Sequence, residues 1–210
     1  LQDDDERLLD VYEKYIQASC FVIFPVLLGL CGCARPFVSL LLTDKWLECV
    51  PLMQILCFSL LLDGATNINL NLLYVKGRSD LVLRLEMIKK AIAFAILFGS
   101  MFFGLKVMCL GLVLNAYIAF CLNTFYTKKI LNYGLWPQLK VMAPYLLCAL
   151  VMMAEALLIS RLVTPAWLSL PVSLAVCPAT YWLITKALGL YANREAREII
   201  LTKVLKRKRP

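Results

Sequence analysis

The sequence predicts an all-α membrane protein with six transmembrane helices. Of its 210 residues, 61% are hydrophobic and the mean hydropathy is +0.77, whereas a soluble domain is about 45–50% apolar. The charged residues gather at the two ends and in short gaps between long apolar runs. About 20 apolar residues suffice for a helix to cross the hydrocarbon core of a bilayer, so each of these runs is a candidate span.

Residues 1–16 are predicted to form an amphipathic cytoplasmic lead-in to the first span. Their sequence is acidic, and Leu8, Tyr12, Tyr15 and Ile16 recur at helical spacing. A signal peptide would instead need a basic start and a short apolar core. Because the chain begins with Leu1 and its six helices start abruptly, we expect it to be a C-terminal fragment of a longer protein.

The six predicted spans follow in order, and residues 189–210 form a basic cytoplasmic tail. Pro51 suits the first turn of the second span, where its missing N–H does no harm. Pro36, Pro144, Pro171 and Pro178 fall within or near the ends of other spans, where neighbouring helices can satisfy the freed carbonyls. The predicted spans are approximately 17–42, 50–75, 84–104, 107–126, 141–161 and 166–188.

The basic residues predict the orientation of these spans. Regions before the first span, around 76–90, around 128–140 and from Lys186 to the end of the chain hold 18 of the 22 lysines and arginines. This alternation matches the positive-inside rule for six helices with both termini in the cytoplasm. Loops near 43–48, 104–106 and 161–165 would then lie outside. The net charge of +8 is explained by anionic lipid beside the spans, and nucleic acid is not predicted as a partner.

Residue types give little support to the usual catalytic and metal sites. The chain has nine cysteines and no histidine, no CxxC pair, no Gly-rich phosphate loop and no suitably placed pair of carboxylates. Cysteines inside apolar runs behave as small hydrophobic residues. The sequence therefore predicts no metal site, no cofactor and no enzyme activity.

A polar stripe interrupts the second span. At about 100° per residue, Asp63, Asn67 and Asn71 share one helix face, while Asn69 points elsewhere and Gly64 permits close helix approach or a local break. A carboxylate inside a membrane costs at least about 2.5 kcal/mol, so it should face protein or water. Two readings stay open: the stripe bonds neighbouring helices, or it lines a path for a polar substrate.

Four further intramembrane polar groups each allow two interpretations. Arg35 either extends its cation toward the outer surface or offers it to an anionic substrate. Asn115 and Asn123 share a face of the fourth span and fit either core packing or a cavity. Glu155 could carry a proton or cation, but the sequence favours an ion pair with Arg161.

Basic residues cluster between the second and third spans, in "KGRSDLVLRLEMIKK" at 76–90. Glu86 can pair with Lys89 or Lys90 at helical spacing. The cluster is either a solvated positive-inside collar or a cytoplasmic entrance that attracts phosphate. Its basic members are Lys76, Arg78, Arg84, Lys89 and Lys90.

The order of motifs resembles the polysaccharide flippases. The runs that carry the resemblance are "FPVLLGLCGCARPFVSLLLTDKWLECVPLMQILCFSLLL", "INLNLLYVKGRSDLVLRLEMIKK" and "LNYGLWPQLKVMAPYLL". These proteins are the O-antigen and exopolysaccharide transporters of the multidrug/oligosaccharidyl-lipid/polysaccharide exporter superfamily. Where relatives commonly carry an acid before the proline, this chain has Arg35, so a role of that acid does not transfer.

The resemblance implies a flippase with two helical bundles around a central cavity, of which this chain would hold part. It implies alternating access, often with coupling to H⁺ or Na⁺, in a bacterial inner membrane. The implied substrate is undecaprenyl-pyrophosphate-linked oligosaccharide, with membrane lipids and the polysaccharide assembly machinery as partners. Asp63, Asn67, Asn71, Arg35 and Asn115 would supply its path. The alternatives are a drug or cation exporter of the same superfamily, a membrane enzyme acting on lipid-linked sugars, and a non-transporting membrane scaffold.

Overall fold

The computed structural model describes residues 5–163 and 165–193, and they are helical almost throughout. No strand occurs within these two ranges, so the all-α class is confirmed. The first four residues of the predicted lead-in and the basic tail from residue 194 lie outside the described residues. The helices are α1 (Asp5–Gly32), α2 (Ala34–Leu42), a 3₁₀ segment (Asp44–Cys49), α3 (Val50–Leu60), α4 (Asp63–Val75), α5 (Ser79–Met101), α6 (Leu105–Leu131), α7 (Leu135–Leu162) and α8 (Ala166–Ala187).

The predicted lead-in and first span form one helix that stops at Cys33. Leu8, Tyr12 and Ile16 are buried, whereas Tyr15 is 64% exposed. The chain restarts as α2, in whose first turn Pro36 lies. Because proline has no N–H to donate to the carbonyl four residues earlier, it interrupts the helical ladder and is best accommodated in a first turn.

The predicted second span is also interrupted. After a 3₁₀ segment, α3 begins with Pro51 in its first turn, as predicted. It ends at Leu60, and a turn at Leu61–Leu62 precedes α4. Asp63 is therefore the first residue of α4, where the partial positive charge of a helix N-terminus stabilises a carboxylate.

The turns near the basic clusters are shorter than predicted, because the helices extend past the apolar runs. α5 begins at Ser79, α6 ends at Leu131 and α7 begins at Leu135. These two connections contain left-handed backbone at Gly77 and Asn132, with φ of 67° and 55°, and the turn between α5 and α6 contains Gly104 with φ of 91°. Glycine and asparagine adopt this region at little cost.

Five segments in the described part of the chain are long and apolar enough to cross a membrane. They are Asp5–Gly32, Asp44–Val75, Leu105–Leu131, Leu135–Leu162 and Ala166–Ala187. The third predicted span corresponds to α5, which has 23 residues but carries Arg84, Glu86, Lys89 and Lys90 in its first half. The chain is thus a multi-pass membrane protein, and the number six stays a prediction.

Helix α1 lies at the centre of the packing. On one side it packs along α7, which packs on α8; on the other it contacts α3 and α4, which pack on α6, and α6 packs on α5. The interface with α7 is close: a Cβ on Gly32 would lie 2.6 Å from Ala156 Cβ and 2.9 Å from the Met153 carbonyl oxygen. Helix α4 packs mainly on α1 and α6, and less on α5 and α3.

Segments predicted to be cytoplasmic meet at one end of the bundle. The Lys76 amine lies 2.5 Å from the Asp5 carboxylate. The rings of Tyr12 and Tyr133 meet edge to face at 5.6 Å. The Lys14 amine lies 5.7 Å from the centre of the Tyr191 ring. This arrangement agrees with the alternation of basic residues, and the assignment of this end to the cytoplasm stays a prediction.

Candidate functional site

Three polar side chains form an exposed face on α4, which we call the polar face of α4 and define as Asp63, Asn67 and Asn71. All three are exposed. None forms a hydrogen bond or ion pair with the residues that the structure describes. Within these residues, the polar face of α4 therefore does not bond neighbouring helices, and its donors and acceptors point away from the bundle.

The chemistry of this face suits a ligand rich in hydroxyl groups. Each amide offers two donors and a carbonyl acceptor, and the carboxylate offers acceptors only. Such groups are costly against lipid and must face water, a polar ligand or another polar protein surface.

The other two predicted path residues lie on different helices. Arg35 is exposed on α2 and forms no ion pair within the described ranges. Asn115 lies on α6 and lines a groove of about 270 Å³ between α5 and α6, together with Lys90 and Ser100. No hydrogen bond joins Arg35 or Asn115 to the polar face of α4 in the described part of the chain.

Most of the basic collar is paired with carboxylates. Lys76 pairs with Asp5, and Arg78 Nε lies 3.2 Å from Asp80 Oδ1. Lys89 pairs with Glu86, one of the two pairings that the spacing predicts. Arg84 and Lys90 form no ion pair with described residues, so the uncompensated charge of the collar lies on α5.

The Arg78–Asp80 pair also changes the acidity of the carboxyl group. The hydrogen bond from the Arg78 guanidinium holds the pKa of Asp80 below its usual range. Both partners are more than half exposed, so solvent screens the pair and its contribution to stability is small.

On the opposite side of α4 from its polar face, buried polar side chains join four helices, of which α4 is one. Asn69 Nδ2 donates to Thr124 Oγ1 at 3.3 Å and to Gln138 Oε1 at 3.2 Å, and Thr124 Oγ1 lies 3.3 Å from the same Gln138 oxygen. The Tyr12 hydroxyl donates to Asn69 Oδ1. These residues are at most 3% exposed, and they come from α1, α4, α6 and α7. We call them the Asn69 junction.

The Asn69 junction was not predicted from the sequence. Helical spacing places Asn69 away from the stripe, which is correct, but no partners were predicted for it. The partners lie 55 to 69 residues away along the chain, beyond any local pattern. The available signal was that each of four apolar or amphipathic helices carries a polar side chain close to the same predicted membrane surface.

A second, half-buried pair corrects another expectation. Glu155 forms no ion pair with Arg161; instead Thr180 Oγ1 donates to Glu155 Oε1 at 3.1 Å. Thr180 lies on α8, which packs directly against α7, whereas Arg161 is exposed near the end of α7. The partner of Glu155 thus lies on the neighbouring helix α8, whereas the sequence predicted a partner on the same helix.

Seven of the nine cysteines are buried, and all nine are free thiols. No group of three metal-ligating side chains occurs within residues 5–163 and 165–193.

The comparisons with known proteins concern polysaccharide biosynthesis. A family model described as "Polysaccharide biosynthesis protein" matches residues 1–51. An uncharacterised membrane protein in the cps region of Klebsiella pneumoniae is 32% identical over 130 residues, which are 61% of this chain and 27% of that protein. The resemblance to polysaccharide biosynthesis proteins is confirmed.

Two further relatives are also named as biosynthesis proteins. The lipopolysaccharide biosynthesis protein WzxC of Escherichia coli is 32% identical over 61% of this chain and 26% of its own length. The teichuronic acid biosynthesis protein TuaB of Bacillus subtilis is 37% identical over 29% of this chain and 12% of its own length. The chain thus spans about a quarter of the length of the first two relatives. No solved structure matches it.

Proposed function

We propose that this chain is part of a transporter that moves a lipid-linked oligosaccharide across the bacterial inner membrane. The observation that carries the proposal is the polar face of α4, which lies inside a membrane span and is exposed without partners among the described residues. A purely structural role would place these groups against other helices, as it places Asn69. The names of the relatives support polysaccharide as the class of cargo.

The cargo that fits this surface is a polyprenyl-pyrophosphate-linked oligosaccharide. The two amides and the carboxylate of α4 offer hydrogen bonds to sugar hydroxyl groups. Arg84 and Lys90 offer uncompensated cations to the diphosphate at the end of the bundle where the basic residues lie. The polyprenyl chain needs no polar path, because lipid itself accommodates it.

Transport by alternating access requires two groups of helices that move relative to each other around the cargo. In this chain α1 packs on α7 on one side and on α3 and α4 on the other, and it is the natural axis for such motion. The proposal includes coupling to H⁺ or Na⁺, for which Asp63 is the candidate because it is the carboxylate of the polar face. It includes no catalytic step, and assembly proteins of the polysaccharide pathway would supply and receive the cargo.

The test is a transport assay with defined lipid. The protein is expressed from its complete natural reading frame and reconstituted into liposomes that contain a fluorescent polyprenyl-pyrophosphate oligosaccharide. Accessibility of the glycan to an enzyme added outside measures movement between leaflets. We expect transport by the parent protein, and loss of transport when Asn67→Leu and Asn71→Leu are combined.

The matched control is Tyr117→Leu, an exposed substitution on α6 that lies outside the polar face and should leave transport unchanged. Equal transport by the parent and the Asn67→Leu, Asn71→Leu protein would refute the proposed path. Transport of small cations without movement of the lipid would favour the drug-exporter alternative.

A further inference from the structure

The polar face of α4 and the Asn69 junction lie on opposite sides of one helix. Asn69 is two residues from both Asn67 and Asn71, which corresponds to a rotation of about 200° around the helix axis. Asn69 is fully buried while its two neighbours in the stripe are exposed. Any rotation of α4 that turns its polar face inward would therefore withdraw Asn69 from its partners.

The apolar contacts of α4 bury one side of the helix, but they act through buried area and not through direction. The buried apolar residues are Ala65, Leu72 and Leu73, and hydrophobic contacts are non-directional. The close approach of Gly64 to Ser19 and Ile23 of α1 fixes the distance between the two helices. Hydrogen bonds to a side chain, by contrast, depend on angle as well as distance.

Asn69 is bonded in directions that specify one rotation. Its carbonyl oxygen accepts from Tyr12 on α1, while its amide nitrogen donates to Thr124 on α6 and Gln138 on α7. Three helices thus hold the two ends of one planar group. A buried amide that lost these partners would leave several polar groups unsatisfied.

We propose that Asn69 is a positioning residue: with its three partners it sets the rotation of α4 about its own axis and so directs the polar face of α4 outward. The control of the rotation of α4 is inferred from the geometry of the Asn69 junction alone. The consequence that this junction controls transport rests on the proposed function.

Two isosteric substitutions separate positioning from ordinary stability. Thr124→Val removes the hydroxyl group that accepts from Asn69. Thr185→Val is its matched control, because Thr185 is also buried and accepts a 2.8 Å hydrogen bond from Asn193 but forms no hydrogen bond with α4 in the part of the chain that the structure describes. The Thr124 hydroxyl group also donates to Gln138 Oε1, and the Thr185 hydroxyl group also donates to the Tyr181 carbonyl oxygen. Both variants therefore lose a buried hydroxyl group with at least two hydrogen bonds, and Thr124→Ser restores the hydroxyl group at the first position.

The readout is the mobility of a nitroxide label placed in turn at positions 67, 68, 70 and 71 of the purified 210-residue chain. For labelling, Cys49 and Cys121, the two cysteines that are not buried, are replaced by serine. The parent should show high mobility at 67 and 71 and lower mobility at 68 and 70, where Ile68 and Leu70 are half-buried. Because mobility reports contact with protein, it gives the rotation of α4 whether its surroundings are water, detergent or lipid.

We expect Thr124→Val to lower the mobility at 67 and 71 and to raise it at 68 or 70, and Thr124→Ser to restore the parent pattern. Thr185→Val should lower the melting temperature and leave the pattern unchanged. An unchanged pattern in Thr124→Val, or the same redistribution in Thr185→Val, would overturn the proposal.

Transport by the complete reading frame distinguishes the two proposals. If Thr124→Val changes the mobility pattern of the label and also abolishes transport, both proposals are supported. If it changes the mobility pattern but leaves transport intact, Asn69 remains the positioning residue and the polar face of α4 is removed from the transport path.

Discussion

Four polar side chains within α4 occupy two different environments. Asp63, Asn67 and Asn71 are exposed, while Asn69 is fully buried and hydrogen-bonded. The same amide group therefore lies in two environments that can be compared by substitution. An exposed amide contributes little to folding, whereas a buried one leaves its partners unsatisfied when it is removed.

Asn67→Leu and Asn69→Leu should differ strongly in stability. We expect Asn67→Leu to change the free energy of unfolding by no more than about 0.5 kcal/mol, as for surface substitutions. We expect Asn69→Leu to lower it by about 1–3 kcal/mol, because Thr124 and Gln138 lose a donor and Tyr12 loses its acceptor. Unfolding of both purified variants in a series of denaturing detergent mixtures measures the difference. Equal stability would contradict the assignment of the two environments.

Substitutions of Asp63 separate charge from hydrogen bonding. Asp63→Asn keeps the size and a carbonyl acceptor but removes the charge and the titratable proton, whereas Asp63→Leu removes both functions. If Asp63 couples an ion, both variants should lose glycan export at unchanged abundance. Export is measured in cells that depend on the complete protein.

Two other results of the Asp63 series have definite meanings. Export retained in Asp63→Asn and lost in Asp63→Leu would mean that the position acts by hydrogen bonding alone. Full export in both would remove Asp63 from the path.

Residue spacing predicted the shared face of Asp63, Asn67 and Asn71, because helical periodicity is a local property. It could not predict the partners of Asn69, since these depend on which helices pack together. The Glu155–Arg161 pair was wrong for the same reason: the spacing along α7 suggested it, but α8 brings Thr180 closer. The role of the polar face of α4 as a path stays a prediction.

At the scale of the helices, apolar run length predicted where helices occur but not where they are interrupted. The breaks at Cys33 and Leu61–Leu62 fall inside predicted spans. Pro36 explains the first break, because its ring and missing N–H require a first turn. No proline accounts for the second, which precedes Asp63 and places that carboxylate at a helix N-terminus.

Close packing of α1 and α7 makes Gly32 sensitive to substitution. A Cβ there would overlap Ala156 Cβ and the Met153 carbonyl oxygen, and backbone cannot give way as a flexible side chain can. We expect Gly32→Ala to cost about 1–3 kcal/mol in the free energy of unfolding, as overpacking does. The same detergent-induced unfolding measures it.

Gly99→Ala is the matched control, because no atom lies within 4 Å of a Cβ added there. It should be neutral or stabilising by up to about 1 kcal/mol, since alanine favours a helix more than glycine does. Equal stability of the two alanine variants would show that α1 and α7 are less closely packed.

At the scale of the whole molecule, the basic residues predicted which loops lie together. The structure brings the predicted cytoplasmic segments to one end through Lys76–Asp5 and Tyr12–Tyr133. The order of neighbours, with α1 between α7 and α4, could not be predicted, because charge alternation specifies sides of the membrane and not lateral contacts.

Labelling from one side of the membrane tests the orientation. In the background with Cys49 and Cys121 replaced, we expect a single cysteine at position 45 to react with an impermeant reagent added to spheroplasts. A cysteine at position 78 should react only after the cells are opened, because the positive-inside rule places it in the cytoplasm. Reaction at position 78 in intact spheroplasts would invert the topology.

The central position of α1 has a consequence for biosynthesis. Gln17 of α1 accepts a 3.1 Å hydrogen bond from Tyr145 of α7, 128 residues later in the chain. At about 5–20 residues per second, α7 leaves the ribosome about 6–25 seconds after α1. During that interval α1 is part of a nascent chain that lacks α7, so Gln17 has no hydrogen bond from Tyr145 and Gly32 does not yet pack against α7. We expect α1 to depend on the insertion machinery or a membrane chaperone throughout this time, so that pausing of translation between α6 and α7 would expose it to degradation.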